Sequence, residues 1–201
     1  MVKGRFSTGK KVLAVICCIV ILAAAVLLAA GYADEAGKRE HYIQLHLQKA
    51  AGRIAGQVSG DGLLSLGPGD EETPAYHTFA TALYEARKND TYLSAAYLMR
   101  IDNGTIRYVV VDAYLTHGND GTVPRIGDLV TEDRSVILNA SVHGPFYSPK
   151  VYTSRWGSFL SGYAPVKDSS GTVVAVLGVD EPADTIFQYE YSQLLHLVEV
   201  S

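Results

Sequence analysis

Beyond the adjacent pair Cys17 and Cys18, the 201-residue sequence has no cysteine. Everything after them is therefore without disulfides or thiol chemistry and must fold on its own apolar core. Catalytic signatures are missing too. None of the six histidines (His41, His46, His77, His117, His143 and His196) pairs with another at i, i+4 around a Glu. No Gly-x-Ser-x-Gly elbow occurs. Residues Gly4 to Lys11 approach a phosphate-binding loop but lack its closing Ser/Thr and a preceding strand. No enzyme is expected, and neither a cofactor nor a metal. Positive charge is scarce beyond the N-terminus. With Lys3, Arg5, Lys10 and Lys11 set aside, 13 basic residues face 21 acidic ones, a balance of −8. That argues against nucleic acid or an anionic membrane surface as partner.

Charge is also absent from Val12 to Gly31, a run of apolar residues that as a helix spans roughly 30 Å, about one bilayer core. Basic residues precede the run and Asp34 and Glu35 follow it. The positive-inside bias leaves the N-terminus cytoplasmic and sends the rest outside. The run exceeds the roughly 7–15 apolar residues of a cleaved signal peptide, which favours an uncleaved anchor. The organisation expected is a basic cytoplasmic tail (1–11), a single-pass signal anchor in the cell membrane (12–33), a stalk helix (34–60) and an extracytoplasmic domain (61–201).

Ile43, Leu47, Ala50, Ala51, Ile54 and Val58 recur at helical spacing on the stalk. That stripe is expected to pack on the domain behind it, with a share left for a homodimer through the stalk. After a Gly-rich loop, Thr73 or Pro74 opens a second helix to about Lys88. The period then changes. Strands are expected at 92–101 and 106–114, joined by the Asp102-Asn103-Gly104 turn, and at 151–154. A short helix is expected at 133–142, loops at 117–128 and 143–149, and a terminal helix at 184–198.

Arg155 to Asp180 reads as a hairpin around Asp168-Ser169-Ser170-Gly171. Its glycines mark close approaches or bulges. A strict two-residue loop pairs Tyr163 with Val176 and Ser161 with Gly178, and puts Tyr163, Ser161, Gly178 and Asp180 on one face. A type I turn with Gly171 as a bulge shifts the register by one and takes Tyr163 off the face of Asp180. Both registers stay open at this point. Core packing is the plain alternative for Trp156 and Tyr163, and a helix cap for Asp180.

Taken together, Tyr97-Leu98-Met99-Arg100 before the Asn103-Gly104 turn, Tyr108 to Ala113, Ile126-Gly127-Asp128, Trp156-Gly157 through Pro165 and Gly178-Val179-Asp180 resemble the extracellular Cache (PAS-like, PDC) sensor domains of membrane receptors. The resemblance covers roughly Tyr92 to Asp184. It implies an α+β fold in which a transmembrane and a long stalk helix precede a five-stranded antiparallel sheet flanked by helices. A small-molecule ligand would bind on the face opposite the long helix. The resemblance makes Trp156, Tyr163 and Asp180 ligand-facing, with Tyr97, Arg100, Tyr108 and Asp112 as further candidates. Pro165 departs from the acid common at that place in amino-acid-binding members. The chain is expected to be a sensor of a small polar or charged ligand without its own output, acting through a separate signalling partner, or else a piece of a longer receptor. The rival reading is an anchored interaction or scaffold domain of the same fold with no ligand pocket.

Overall fold

A computed structural model describes residues 8–185 of the chain. All but the start of the terminal helix expected over 184–198 lies outside the described residues. Contacts divide the chain into two units, Met1–His41 and Tyr42–Ser201. Helix α1 (Thr8–Ala55) begins in the first and ends in the second. In the first unit its side chains from Val12 to Leu28 are exposed. Among the described residues it is the one helix long and apolar enough to cross a membrane, with a window of mean hydropathy 3.3.

The second unit begins at Tyr42, inside the segment read as stalk. Its helices are the end of α1, α2 (Pro74–Arg87), the short α3 (Tyr114–His117) and α4 (Arg134–His143). Thr73 caps α2 by accepting the Tyr76 N–H, and Pro74 occupies the first turn, where no donor is missed. The strands are β1 (Ala95–Asp102), β2 (Thr105–Val111), β3 (Phe146–Tyr147), β4 (Tyr152–Ser154), β5 (Gly157–Lys167) and β6 (Val173–Pro182). They form one antiparallel sheet in the order β2-β1-β6-β5-β3, with β4 also on β5. The sixth strand, β3, falls in the stretch expected as a loop. It is only two residues long because Pro145 and Pro149 bracket it and can donate no ladder hydrogen bond. Asn103 and Gly104 both take positive φ, which the tight β1–β2 turn requires.

One sheet face receives α1. Ile43, Leu47, Ala50, Ala51, Ile54 and Val58 are all buried there, with Leu98, Leu160, Ala164, Leu177 and Val179. Helix and sheet approach closely at Gly162, where a Cβ would collide with the Leu47 carbonyl. The apolar stripe of residues 43–58 is thus used up inside the domain. The share expected for a second copy is not left over, so a homodimer would need another face of the helix. The opposite sheet face carries Tyr97, Met99, Ile106, Val111, Tyr163 and Val176, partly covered by Ile137 and Ala140 of α4.

The β5–β6 hairpin follows neither expected register along its whole length. Gly171 takes φ 84 and its N–H donates to Asp168, as in the bulged type I turn. Lys167 then faces Val173. A second slip at Val174 brings Val166 opposite Ala175, and onward Tyr163 faces Gly178 and Ser161 faces Asp180. Two single-residue slips restore parity. The facing expected of the strict two-residue loop is therefore kept, with every pair displaced.

Candidate functional site

On the face away from α1 lies a cavity of about 160 Å³. Residues of five strands and of the segments joining them build it. β1 supplies Tyr97, β2 Tyr108, β4 Tyr152, β5 Phe159 and β6 Asp180; Trp156 stands between β4 and β5. A bulge at Val109, between the pairs Leu98–Val110 and Met99–Tyr108, lets Tyr108 and Val111 share this face though three residues apart. The loop after α3 adds Thr122, Val123 and Pro124. The end of that loop is fastened to the domain. Glu71, 2% exposed, accepts from the Ile126 N–H and from Arg125, and Tyr108 and the 127–128 backbone exchange hydrogen bonds. Asp128 accepts from Arg155, whose guanidinium lies 4.2 Å from the Trp156 ring centre.

Asp180 is the acid of this cavity, 7% exposed. Tyr97 Oη donates to its Oδ1 at 2.7 Å and Ser161 Oγ at 2.6 Å. Both bonds end on Oδ1, and among the described residues no hydrogen bond reaches Oδ2. Burial pushes the Asp180 carboxyl up to about 7, against the two hydroxyls that favour its ionised form. Burial, and then the Asp180 charge, hold the Tyr97, Tyr108 and Tyr152 hydroxyls above the usual phenol range, so all three stay protonated donors.

Of the seven residues singled out in the sequence, Tyr97, Tyr108, Trp156 and Asp180 line the cavity. Tyr163 shares their sheet face but is 1% exposed and sits one layer away. Its hydroxyl donates to Asp133 Oδ2 at 3.2 Å and lies 3.5 Å from Tyr152 Oη. Arg100 and Asp112 do not join the cavity. Arg100 alternates onto the α1 face with Ala96 and Leu98, and donates to the carbonyls of Leu63 (2.6 Å) and Leu66 (3.4 Å). Asp112 is fully buried, pairs with Arg87, and accepts the Ala96 N–H at 3.1 Å. Both act in the fold: one clamps a loop and the other joins α2 to the sheet. The loop at 122–124 falls where a cavity-covering loop was expected, whereas Tyr152 and Phe159 were not singled out; for Tyr152 the signal would have been the alternation of the 152–154 strand, too short to fix a face.

No family model matches the sequence, and no curated protein matches it. Solved structures do. An extracellular ligand-binding receptor of Desulfohalobium retbaense matches at TM-score 0.54 and 14% identity over 78% of this chain and 25% of the receptor. At that identity the likeness shows the fold alone, an antiparallel sheet flanked by helices shared with part of that receptor. The E. coli DcuS sensor domain (TM-score 0.49, 13% identity, 74% of this chain and 94% of that one) is also similar. So is the ligand-binding domain of the Campylobacter jejuni chemoreceptor Tlp3 in complex with 4-methylisoleucine (0.44, 16%, 78% and 55%). The chain thus spans a quarter of the Desulfohalobium receptor and just over half of the Tlp3 domain. In this fold the cavity occupies the sheet face opposite α1.

Proposed function

We propose that the chain is a membrane-anchored sensor module, its N-terminus cytoplasmic and its domain outside, that binds a small cationic or hydrogen-bond-donating ligand against Asp180. The observation that carries this is a nearly buried carboxylate on a cavity wall, one oxygen of which accepts from two hydroxyls while the other has no hydrogen-bond partner among the described residues. Such a group is costly to bury unless something pairs with it. The aromatic rings of Tyr97, Tyr108 and Trp156 suit the apolar body or the cationic head of the same ligand. A 150 Å³ apolar cavity is known to hold benzene, so a cavity of this size takes roughly six to eight non-hydrogen atoms. The likeness to a ligand-binding receptor supports the same reading. A scaffold domain would have Tyr163 and Asp180 sealed; Tyr163 is, and Asp180 opens onto the cavity.

The test is thermal denaturation of the full chain in detergent micelles against a series of small primary amines and the matching alcohols. Amines are expected to raise the melting temperature at pH 8, less so at pH 6, and to lose the effect in Asp180→Asn. Absence of stabilisation by every member of both series would count against a ligand of this class.

A further inference from the structure

Five hydroxyls and two acids form one chain on the cavity face. Asp180 Oδ1 accepts from Tyr97 and Ser161. Ser161 Oγ lies 3.0 Å from Tyr152 Oη, which lies 3.5 Å from Tyr163 Oη. Tyr163 Oη is 3.2 Å from Asp133 Oδ2, which also receives Ser148 Oγ. Each hydroxyl has a single proton to give. Bonds to ionised acceptors are the stronger ones, so Tyr163 and Ser148 give theirs to Asp133, and Tyr97 and Ser161 give theirs to Asp180. Tyr152 alone stands between the two acids. Its proton goes to the nearer neighbour, Ser161. Tyr163 is placed to donate to both Asp133 and Tyr152 but has one proton for the two, and the ionised acceptor draws it from Tyr152. The Tyr152–Tyr163 gap is the longest link of the chain, beyond the usual range of a hydroxyl pair.

We propose that Asp133 is a positioning residue for the cavity. Outside it, by drawing the Tyr163 proton away from Tyr152, it divides the chain and withholds hydroxyl support from Asp180. The proposal rests on the sensor reading, since Asp180 is the residue that would meet the ligand. Asp133 suits the task structurally. It takes φ 50 at the start of α4, makes no side-chain cap there, and is partly buried against β5. Burial raises its carboxyl as well, while Ser148 and Tyr163 favour its ionised form. The other groups facing Asp180 are Tyr97 from β1, Tyr108 from β2, Tyr152 from β4 and, at longer range, Asp112, whose charge Arg87 offsets.

Asp133→Gly tests this, because glycine keeps the positive φ and suits a helix start while removing the carboxylate. Tyr163 can then donate to Tyr152, Tyr152 to Ser161, and Ser161 to Asp180, with every hydroxyl polarised one way. The readout is the titration midpoint of Asp180, followed by carboxyl NMR of the full chain, ¹³C-labelled at Asp, in micelles, with Asp180→Asn as assignment. It needs no ligand, so its outcome is independent of whether any amine binds. The expected result is a midpoint lower by roughly half a unit to one unit, and a shift less than half as large when Asp133→Gly is made in a Tyr163→Phe background. No shift, or an equal shift in both backgrounds, overturns the proposal, since equality would mean loss of charge alone. If Asp133→Gly does not fold, Tyr152→Phe removes the divided hydroxyl by itself. The Asp180 midpoint should then rise, and an unchanged midpoint is the overturning result.

Discussion

The ring of Tyr97 lies against Gly178, its partner across the β1–β6 pairing. A Cβ on residue 178 would overlap the ring and stand 2.8 Å from its hydroxyl. The missing side chain is what lets that hydroxyl reach Asp180, two residues along the same strand. Gly178→Ala is therefore expected to cost about 1–3 kcal/mol through overpacking and to displace Tyr97 from Asp180. Chemical denaturation would measure the first effect. A higher Asp180 titration midpoint would report the second, and an unchanged midpoint would show that the ring has another way to fit.

Stability should fall with rising pH through the neutral range. Glu181, 2% exposed with Oε2 unpartnered among the described residues, is pushed up to about 7 by burial and then by the Asp90 charge, and Asp180 reaches about 7 as well. Both folded-state values lie above the unfolded ones, so the folded chain binds more protons. The stabilisation is complete below the unfolded carboxylate range near pH 4 and is lost as pH rises towards 7. The change is on the order of a few kcal/mol. Glu181→Gln should flatten the decline and raise the melting temperature at pH 8. An unaltered pH profile would mean that Glu181 titrates normally.

Asp112→Ala should destabilise the domain without altering the cavity. Removing one member of a buried ion pair costs roughly 3–5 kcal/mol because the other charge is left unpaired, and Arg87 would be that charge. Urea titration should show the loss. At a temperature where the variant remains folded, amine binding should match that of the parent. A selective loss of binding would return Asp112 to the site.

The second slip of the hairpin has a partner that can be removed. Gly60 donates its N–H to the Lys167 carbonyl at 3.0 Å, and a Cβ there would lie 2.5 Å from Val174 and 2.8 Å from that carbonyl. Gly60→Ala should loosen the β5–β6 turn end, which faster amide hydrogen exchange at Asp168 and Val174 would show. Unchanged exchange would mean that the bulge holds itself.

Much of the architecture was legible because its signals are local. The change from a period of 3.6 to one of 2 marked where the sheet begins, and Asn103-Gly104 marked its first turn. The hairpin register was not legible. Where it slips, Lys167 accepts from Gly60, more than a hundred residues earlier, and no turn rule contains that contact. The same limit explains the two misplaced candidates. Arg100 and Asp112 stand beside Tyr97 and Tyr108 in the motif, but strand alternation and the bulge at Val109 decide their faces, and the sequence does not announce which strand carries the bulge. Asp133 went unnoticed because its partners, Ser148 and Tyr163, come to it through the fold.

Asp180 and Glu181 are neighbours on one strand and point to opposite faces, each able to hold a proton near neutrality. A cation taken up at Asp180 would meet a carboxyl that is about half protonated near pH 7 and would release about half a proton on average. Binding would then raise the charge of the domain by about half a unit rather than a whole one. Occupancy and local acidity would be two readings of one exchange, and an acid shift around the domain would empty the cavity as surely as a fall in ligand.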